Sequence, residues 1–308
     1  MIAERALKTL EFDKVREQVA SFATCSLGQE GLAKLAPETE LEAVQGLLAE
    51  MDEALSILRL KGSVPMGGIF DVRPHARRAQ IGGMLSPKEL MEISSTIRAS
   101  RILREFIETV VADEEVAIPL FEAKKEELPI LTGLQHEINS CIDDNAKVMD
   151  SASQALRGIR TQLRTQEGRV RDRLASLTRG SAAAKMLSDS IITIRNDRFV
   201  IPVKAEYRSH YGGVIHDQSA SGQTLYIEPD AVVQANNEIQ GLKVKEKAEV
   251  DRILMELSTK VQEVAHSLFI LVQILGAIDV VLAKAKYGQA NKCTMPKMND
   301  RGYMKLTK

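Results

Sequence analysis

Ten apolar residues, Val250, Leu254, Leu257, Val261, Val264, Leu268, Leu271, Leu275, Ile278 and Leu282, follow one another at alternating spacings of four and three. A repeat of that period is a helix carrying one narrow apolar stripe. Pro229 and Gly288 bracket it. At 1.5 Å per residue the helix is about 85 Å long. No core built by a 308-residue chain covers such a rod along its length, so the stripe calls for a second rod. Residues 134–180 supply the candidate: Leu156, Ile159, Leu163, Val170 and Leu177 form a weaker stripe, interrupted by Gln166 and Arg173. The expectation is two long helices paired antiparallel as an arm.

Between the rods lies the one β-like stretch. In "IITIRNDRFVIPVK", Ile192 and Ile194 alternate, then Phe199, Ile201 and Val203, with Asn196-Asp197 as a hairpin turn. "GGVIHD" and "TLYIEP" flank a second turn at 218–223. Pro202 belongs on an edge or at a bulge, because it has no N–H to give a ladder. Before the rods, helices are expected at 4–20, 27–36, 40–61, 71–82, 86–111 and 115–128. Thr39 with Glu42 and Ser86-Pro87 with Glu89 read as start signals. Aromatics make up 4% of the chain and charged residues 27%, which favours helices over a β-sandwich. The fold class expected is mainly α: a helical lever bundle with a long antiparallel two-helix arm carrying a small antiparallel β-sheet.

The stretch "GGVIHDQSASGQTLYIEP" looks chemical and reads as structural. His216 and Asp217 are neighbours in a strand and point to opposite faces, so they do not form two members of a triad. The glycines lead into a strand rather than a helix, and the dipeptide Gly-Lys occurs nowhere, so there is no phosphate-binding loop of the Walker type. His210, His216 and Asp217 fall short of a metal's ligand set. Catalytic residues, metal and cofactor are expected to be absent from this chain. Cys25, Cys141 and Cys293 lie far apart and form no C-x-x-C pair. The charged start "MIAERALKTLEFDKVREQ" lacks the apolar core of a signal peptide, and the most apolar run, "SLFILVQILGAIDVVLAKAK", carries Gln273 and Asp279. A cytoplasmic protein without a membrane partner is the reading.

Charge is distributed unevenly. Residues 151–212 hold twelve Lys/Arg against five Asp/Glu, whereas 105–144 hold eleven acids and two Lys. Arg157, Arg160 and Arg164 recur beside the apolar stripe. Arg195, Arg198, Lys204 and Arg208 continue on the sheet, interleaved with Tyr207, His210 and Tyr211. Such a patch fits a polyanion, and these residues are the candidates for phosphate contact. The cluster Arg73, Arg77 and Arg78 is expected to pair with nearby acids.

The segments "RLKGSVPMGGIFDVRPHARRAQIGGMLSPKEL", "INSCIDDNAKVMDSASQALRGIRTQLRT" and "MLSDSIITIRNDRFVIPVKAEYRSHYGGVIHDQSASGQTLYIEP" strongly resemble the bacterial MutS-like proteins of the second type, across essentially the whole chain. The resemblance implies a lever at 1–133 and 235–290, a clamp at 134–234, and in 291–308 the start of an ATPase domain. In that family a P-loop ATPase, with ATP and Mg, and an Smr nuclease-like domain follow, and the full-length protein is a homodimer. Its members are associated with suppressing homologous recombination on branched DNA and with splitting collided ribosomes. The implied role is a non-catalytic clamp and lever that touches branched DNA or ribosomal RNA on the ribosome. The rival is a purely structural lever that transmits nucleotide state through protein–protein contacts. Arginines paired with carboxylates of the same arm favour the lever; an open cationic stripe favours the clamp.

Overall fold

The computed structural model describes residues 4–113 and 116–305. Their helices are α1 (Glu4–Thr9), α2 (Phe12–Ala20), α3 (Ser26–Ala33), α4 (Leu41–Lys61), α5 (Arg73–Gln80), α6 (Pro87–Ala112), α7 (Pro119–Glu127), α8 (Thr132–Cys141), α9 (Gln154–Thr178), α10 (Ser181–Met186), α11 (Arg208–Tyr211), α12 (Asp230–Glu263) and α13 (Ala265–Ala290). Four strands, β1 (Thr193–Arg195), β2 (Arg198–Lys204), β3 (Val214–Gln218) and β4 (Thr224–Glu228), form one antiparallel sheet in the order β1-β2-β4-β3. The fold is mainly α with a small sheet, as expected. The chain divides into two compact units, residues 1–147 with 254–308, and residues 148–253.

The first unit is a helical bundle around α13. That helix packs against α2, α3, α4 and α5, while α6 packs on α7 and α8. Leu268, Leu271, Leu275, Ile278 and Leu282 are fully buried, and so are Val272, Ala283 and Ala285 on other sides of the same helix. By length and composition α13 could cross a membrane; here its apolarity is explained by neighbours on several faces.

Burying a helix this way requires every polar group near it to find a partner. Asp279, fully buried on α13, does this for the start of α3. Its carboxylate accepts from the backbone N–H of Thr24 and Cys25, each at 3.0 Å, and lies 3.2 Å from Cys25 Sγ. Burial, helped by the Asp279 charge, pushes the Cys25 thiol up to about 11. Gly28 makes room for the carboxylate: a Cβ there would stand 2.1 Å from Asp279 Oδ2. Glu53 of α4 plays the same part for α7, accepting from Leu120 and Phe121 N–H at 3.0 Å. Ser258 Oγ accepts from Leu85 N–H at 2.8 Å, ahead of α6.

Several sequence expectations need correction. The helix read over 4–20 is two helices, broken at Glu11, whose φ is 53°. Thr39 does not cap α4; Glu40 stands at that position without a side-chain cap. The Ser86–Glu89 capping box does form, with Pro87 in the first turn. The helix expected over 115–128 begins at Pro119, and residue 115 lies outside the described residues. The rod expected over 134–180 is interrupted. After α8, the Asp143 carboxylate accepts from Asn145 and Lys147 N–H at 3.0 and 2.8 Å, a local alternative to helical bonding. The chain re-enters a helix at α9, where Ser153 Oγ accepts from Leu156 N–H at 2.9 Å.

The ten-position stripe also divides. α12 ends at Glu263 and α13 starts at Ala265, with Val264 at φ −109° and ψ 13° between them. From Leu254 onward the stripe belongs to the bundle, not to an arm. Several short helices can cover one long apolar helix in succession, which removes the premise that only a second rod would do.

Asp279→Ala should lower stability by about 3 kcal/mol, since it orphans buried N–H groups, seen as a lower urea midpoint with an unchanged slope. Gly28→Ala should be strongly destabilising in the parent and much less so beside Asp279→Ala. Additive costs would mean the two positions are not coupled.

Candidate nucleic-acid interface

In the second unit, α9 and the first part of α12 run antiparallel. Ser153 Oγ donates to Glu249 at 2.7 Å, Arg160 Nε to Glu246 at 2.7 Å, and Gln166 Nε2 to Glu238 at 2.9 Å. Leu163, Val170 and Leu174 of α9 meet Val232 and Ile239 of α12, and Phe199, Ile201, Val203, Leu225 and Ile227 of the sheet join the same core. Each such burial is worth about 1.5–3 kcal/mol.

The sheet is built by two tight hairpins. Asn196 and Asp197 both have positive φ, 49° and 61°, the geometry of a primed turn that suits Asn-Asp. β2 is buried along five consecutive positions, not alternately, because it is an inner strand. Pro202 fits there because its side of the strand has run past β1; its carbonyl accepts from Ser188 N–H at 3.0 Å. In β3 a bulge falls between Ile215 and Asp217. Gly213 has φ +87°, and a Cβ there would lie 2.0 Å from the Glu228 carbonyl oxygen. This glycine serves strand pairing.

At the end of β4 stands Glu228, 1% exposed. Arg198 Nη1 donates to it at 3.0 Å, His216 Nε2 lies at 2.6 Å, and Asn236 Nδ2 donates at 2.8 Å. Asn236, also buried, accepts from Phe199 N–H at 3.3 Å and donates to the Phe199 carbonyl at 3.1 Å. It acts as a one-residue continuation of the sheet, where β4 no longer reaches β2. Sequence reading missed both Glu228 and Asn236. The available signal was an acid in the last position of an apolar strand, followed by an Asn on the inner face of a helix.

The candidate phosphate contacts separate into two groups. Arg160 bridges Asp150 (2.7 Å), Glu246 (2.7 Å) and the Val148 carbonyl (2.7 Å), and Arg164 reaches Asp150 at 3.0 Å. Arg195 pairs with Asp217 at 3.1 Å and stacks 4.3 Å above the Tyr226 ring. Arg198 is held by Glu228 and by Asn237 at 2.7 Å. Lys204 donates to the Lys185 carbonyl at 2.7 Å, and Tyr207 packs on the core. Arg157, Arg208 and His210 are exposed; among the described residues neither arginine has an ion pair, and His210 meets Tyr211 edge to face. The sequence joined these residues as one patch; the structure spends four of its arginines on internal acids.

Other cations are open. Arg169, Arg173, Arg179, Lys185, Lys245 and Lys247 are exposed and carry no ion pair among the described residues. Arg171 lies 5.4 Å over the Phe199 ring. In the bundle, Arg73 pairs with Glu30 and Asp71, and Arg78 with Glu89. No group of three or more His, Cys, Asp or Glu converges among the described residues.

Glu228→Ala should cost about 3 kcal/mol, because it strands a largely buried guanidinium; a change near zero in chemical denaturation would show that Arg198 finds another partner. This unit also contributes to the acid limb. The Arg252 and Ser153 hydrogen bonds hold Glu249 down to about 2, and Arg160 followed by Arg164 holds Asp150 below its ordinary 3.8. Both folded values are depressed. Their contribution is therefore complete above the unfolded values near 4 and is lost as pH falls toward about 2. Helical signal followed through acid titration should show Glu249→Gln unfolding over a flatter acid limb than the parent.

No protein-family model matches the chain. Curated relatives do. Over 302 residues, 98% of this chain and 38% of the relative, it is 53% identical to "Endonuclease MutS2" of Geobacillus sp. (strain WCH70). It is 51% identical over 305 residues to "Endonuclease MutS2" of Bacillus velezensis, covering 99% of this chain and 39% of the relative. With "Endonuclease MutS2" of Halalkalibacterium halodurans it shares 48% over 301 residues, 98% of this chain and 38% of the relative. The chain spans less than two fifths of the length of these relatives. Identity near one half, sustained from one end of the chain to the other, means that it belongs to the MutS2 family.

Proposed function

We propose that this chain is the non-catalytic clamp and lever of a MutS2-type protein. The 148–253 unit lies against nucleic acid, and nuclease and ATP chemistry reside elsewhere in the full-length homodimer. The observation that carries this reading is the set of exposed cations with no ion pair among the described residues, Arg157, Arg169, Arg173, Arg179 and Arg208, on one small unit. Phosphate contacts of this kind position a polyanion without reading its sequence. Branched DNA and the RNA of a collided ribosome both present such a backbone.

A second reading keeps the same architecture and removes the nucleic acid: a lever that transmits nucleotide state by protein contact. The internal pairing of Arg160, Arg164, Arg195 and Arg198 favours it. Affinity and its salt dependence separate the two. The clamp reading expects binding of a branched DNA, or of ribosomes, to weaken steeply with salt. The Lys204→Ala/Arg208→Ala pair should flatten the log–log slope by about 1–2. Undetectable binding at low salt to either target would leave the lever reading standing.

A further inference from the structure

We infer that a phosphodiester backbone lies in the groove between α9 and α12, a site separate from the sheet-borne arginines. This rests on the nucleic-acid reading above and names where on the unit the contact is made.

The groove has a volume of about 510 Å³. Gln162, Gln166 and Arg169 line it from α9, and Glu238, Gly241 and Lys245 from α12. The contacts Arg160–Glu246 and Gln166–Glu238 fix the register of the two helices. That register sets Lys245 across from the Arg160 level. Arg169 stands two and a half turns further along α9, about 13 Å away along the axis. The two cations thus lie toward opposite ends of the groove, spaced for two phosphates that are not adjacent. Among the described residues neither has an ion pair, in contrast to Arg160 on the same two helices, which is saturated by Asp150 and Glu246. The one acid in the groove, Glu238, accepts from the Gln166 amide.

Gly241 lies at the middle of the groove. It sits inside a 34-residue helix, where glycine is unfavourable relative to alanine. No neighbour explains it: a Cβ there would meet nothing within 4 Å. Packing does not require this glycine. It does leave the α12 backbone open to close approach along the groove. Sugar–phosphate is the occupant that matches both the opening and the two unpaired cations.

The test is a salt titration of the whole chain against labelled single-stranded, duplex and branched DNA and a structured RNA, by fluorescence anisotropy. The Arg169→Gln/Lys245→Gln pair should lower affinity about tenfold at low salt and reduce the slope by about 1.5. Glu238→Gln should tighten binding. Gly241→Ala should raise the melting temperature while weakening binding, and Gly241→Leu should weaken it further. Gly168→Ala, in α9 and likewise without a neighbour within 4 Å of its Cβ, should raise stability and leave binding as it was. Parent-like binding by the groove variants, with loss only on Arg208→Gln, overturns the groove and keeps the nucleic-acid reading. No binding by the parent at any salt overturns both. Binding of poly-glutamate instead of nucleic acid, with the same sensitivity to Arg169 and Lys245, assigns the groove to an acidic protein and also overturns the proposal.

Discussion

A carboxylate with no exposed surface, Asp279, holds the start of one helix from the middle of another. The bundle depends on this kind of contact. The first N–H groups of a helix have no partner within it, and Asp279, with no exposed surface, supplies one for Cys25 inside the core. The same solution recurs with Glu53 at α7 and, using a hydroxyl, with Ser258 before α6. In the second unit Asn236 and Glu228 do for a strand what Asp279 does for a helix. Each device places a polar group in an apolar interior, where it is tolerable only when fully partnered. These long-range bonds therefore specify which element lies against which more sharply than apolar packing does.

Both units spend some of their charge on internal pairs. In the bundle, Arg73 and Arg78 meet acids from neighbouring elements. In the 148–253 unit, one set of arginines is consumed in holding the helices and sheet together, and another set is exposed with no ion pair among the described residues. Exposed pairs contribute little to stability, so cations that stay at the surface cost the fold little.

Much of this was legible from the residues. The alternation around Asn196-Asp197 located β1 and β2, and Ser86-Pro87 with Glu89 located the start of α6. The ten-position stripe was correctly read as helical and wrongly read as one rod. Spacing alone does not say whether a stripe faces one partner or several in turn. Nor does it register the break at Val264, which changes two dihedrals and leaves the apolar order intact. The interruption after α8 was visible in principle as Asp143-Asp144-Asn145, residues whose side chains compete for backbone N–H groups. The pairing state of the arginines was not legible: Asp150 and Glu246 lie ten positions before and eighty-six after Arg160, and only the fold brings them together. Glu228 and Asn236 were hidden for the same reason.

The burial of Cys25 has a practical corollary. Its sulfur is locked against Asp279 while Cys293 is open to solvent, and only a thiolate attacks an alkylating reagent. Of the three thiols, Cys25 is thus the slow one, beside the partly exposed Cys141 and the open Cys293. The slow one becomes reactive when α3 parts from α13, so its labelling rate times the local opening of that joint without any engineered probe.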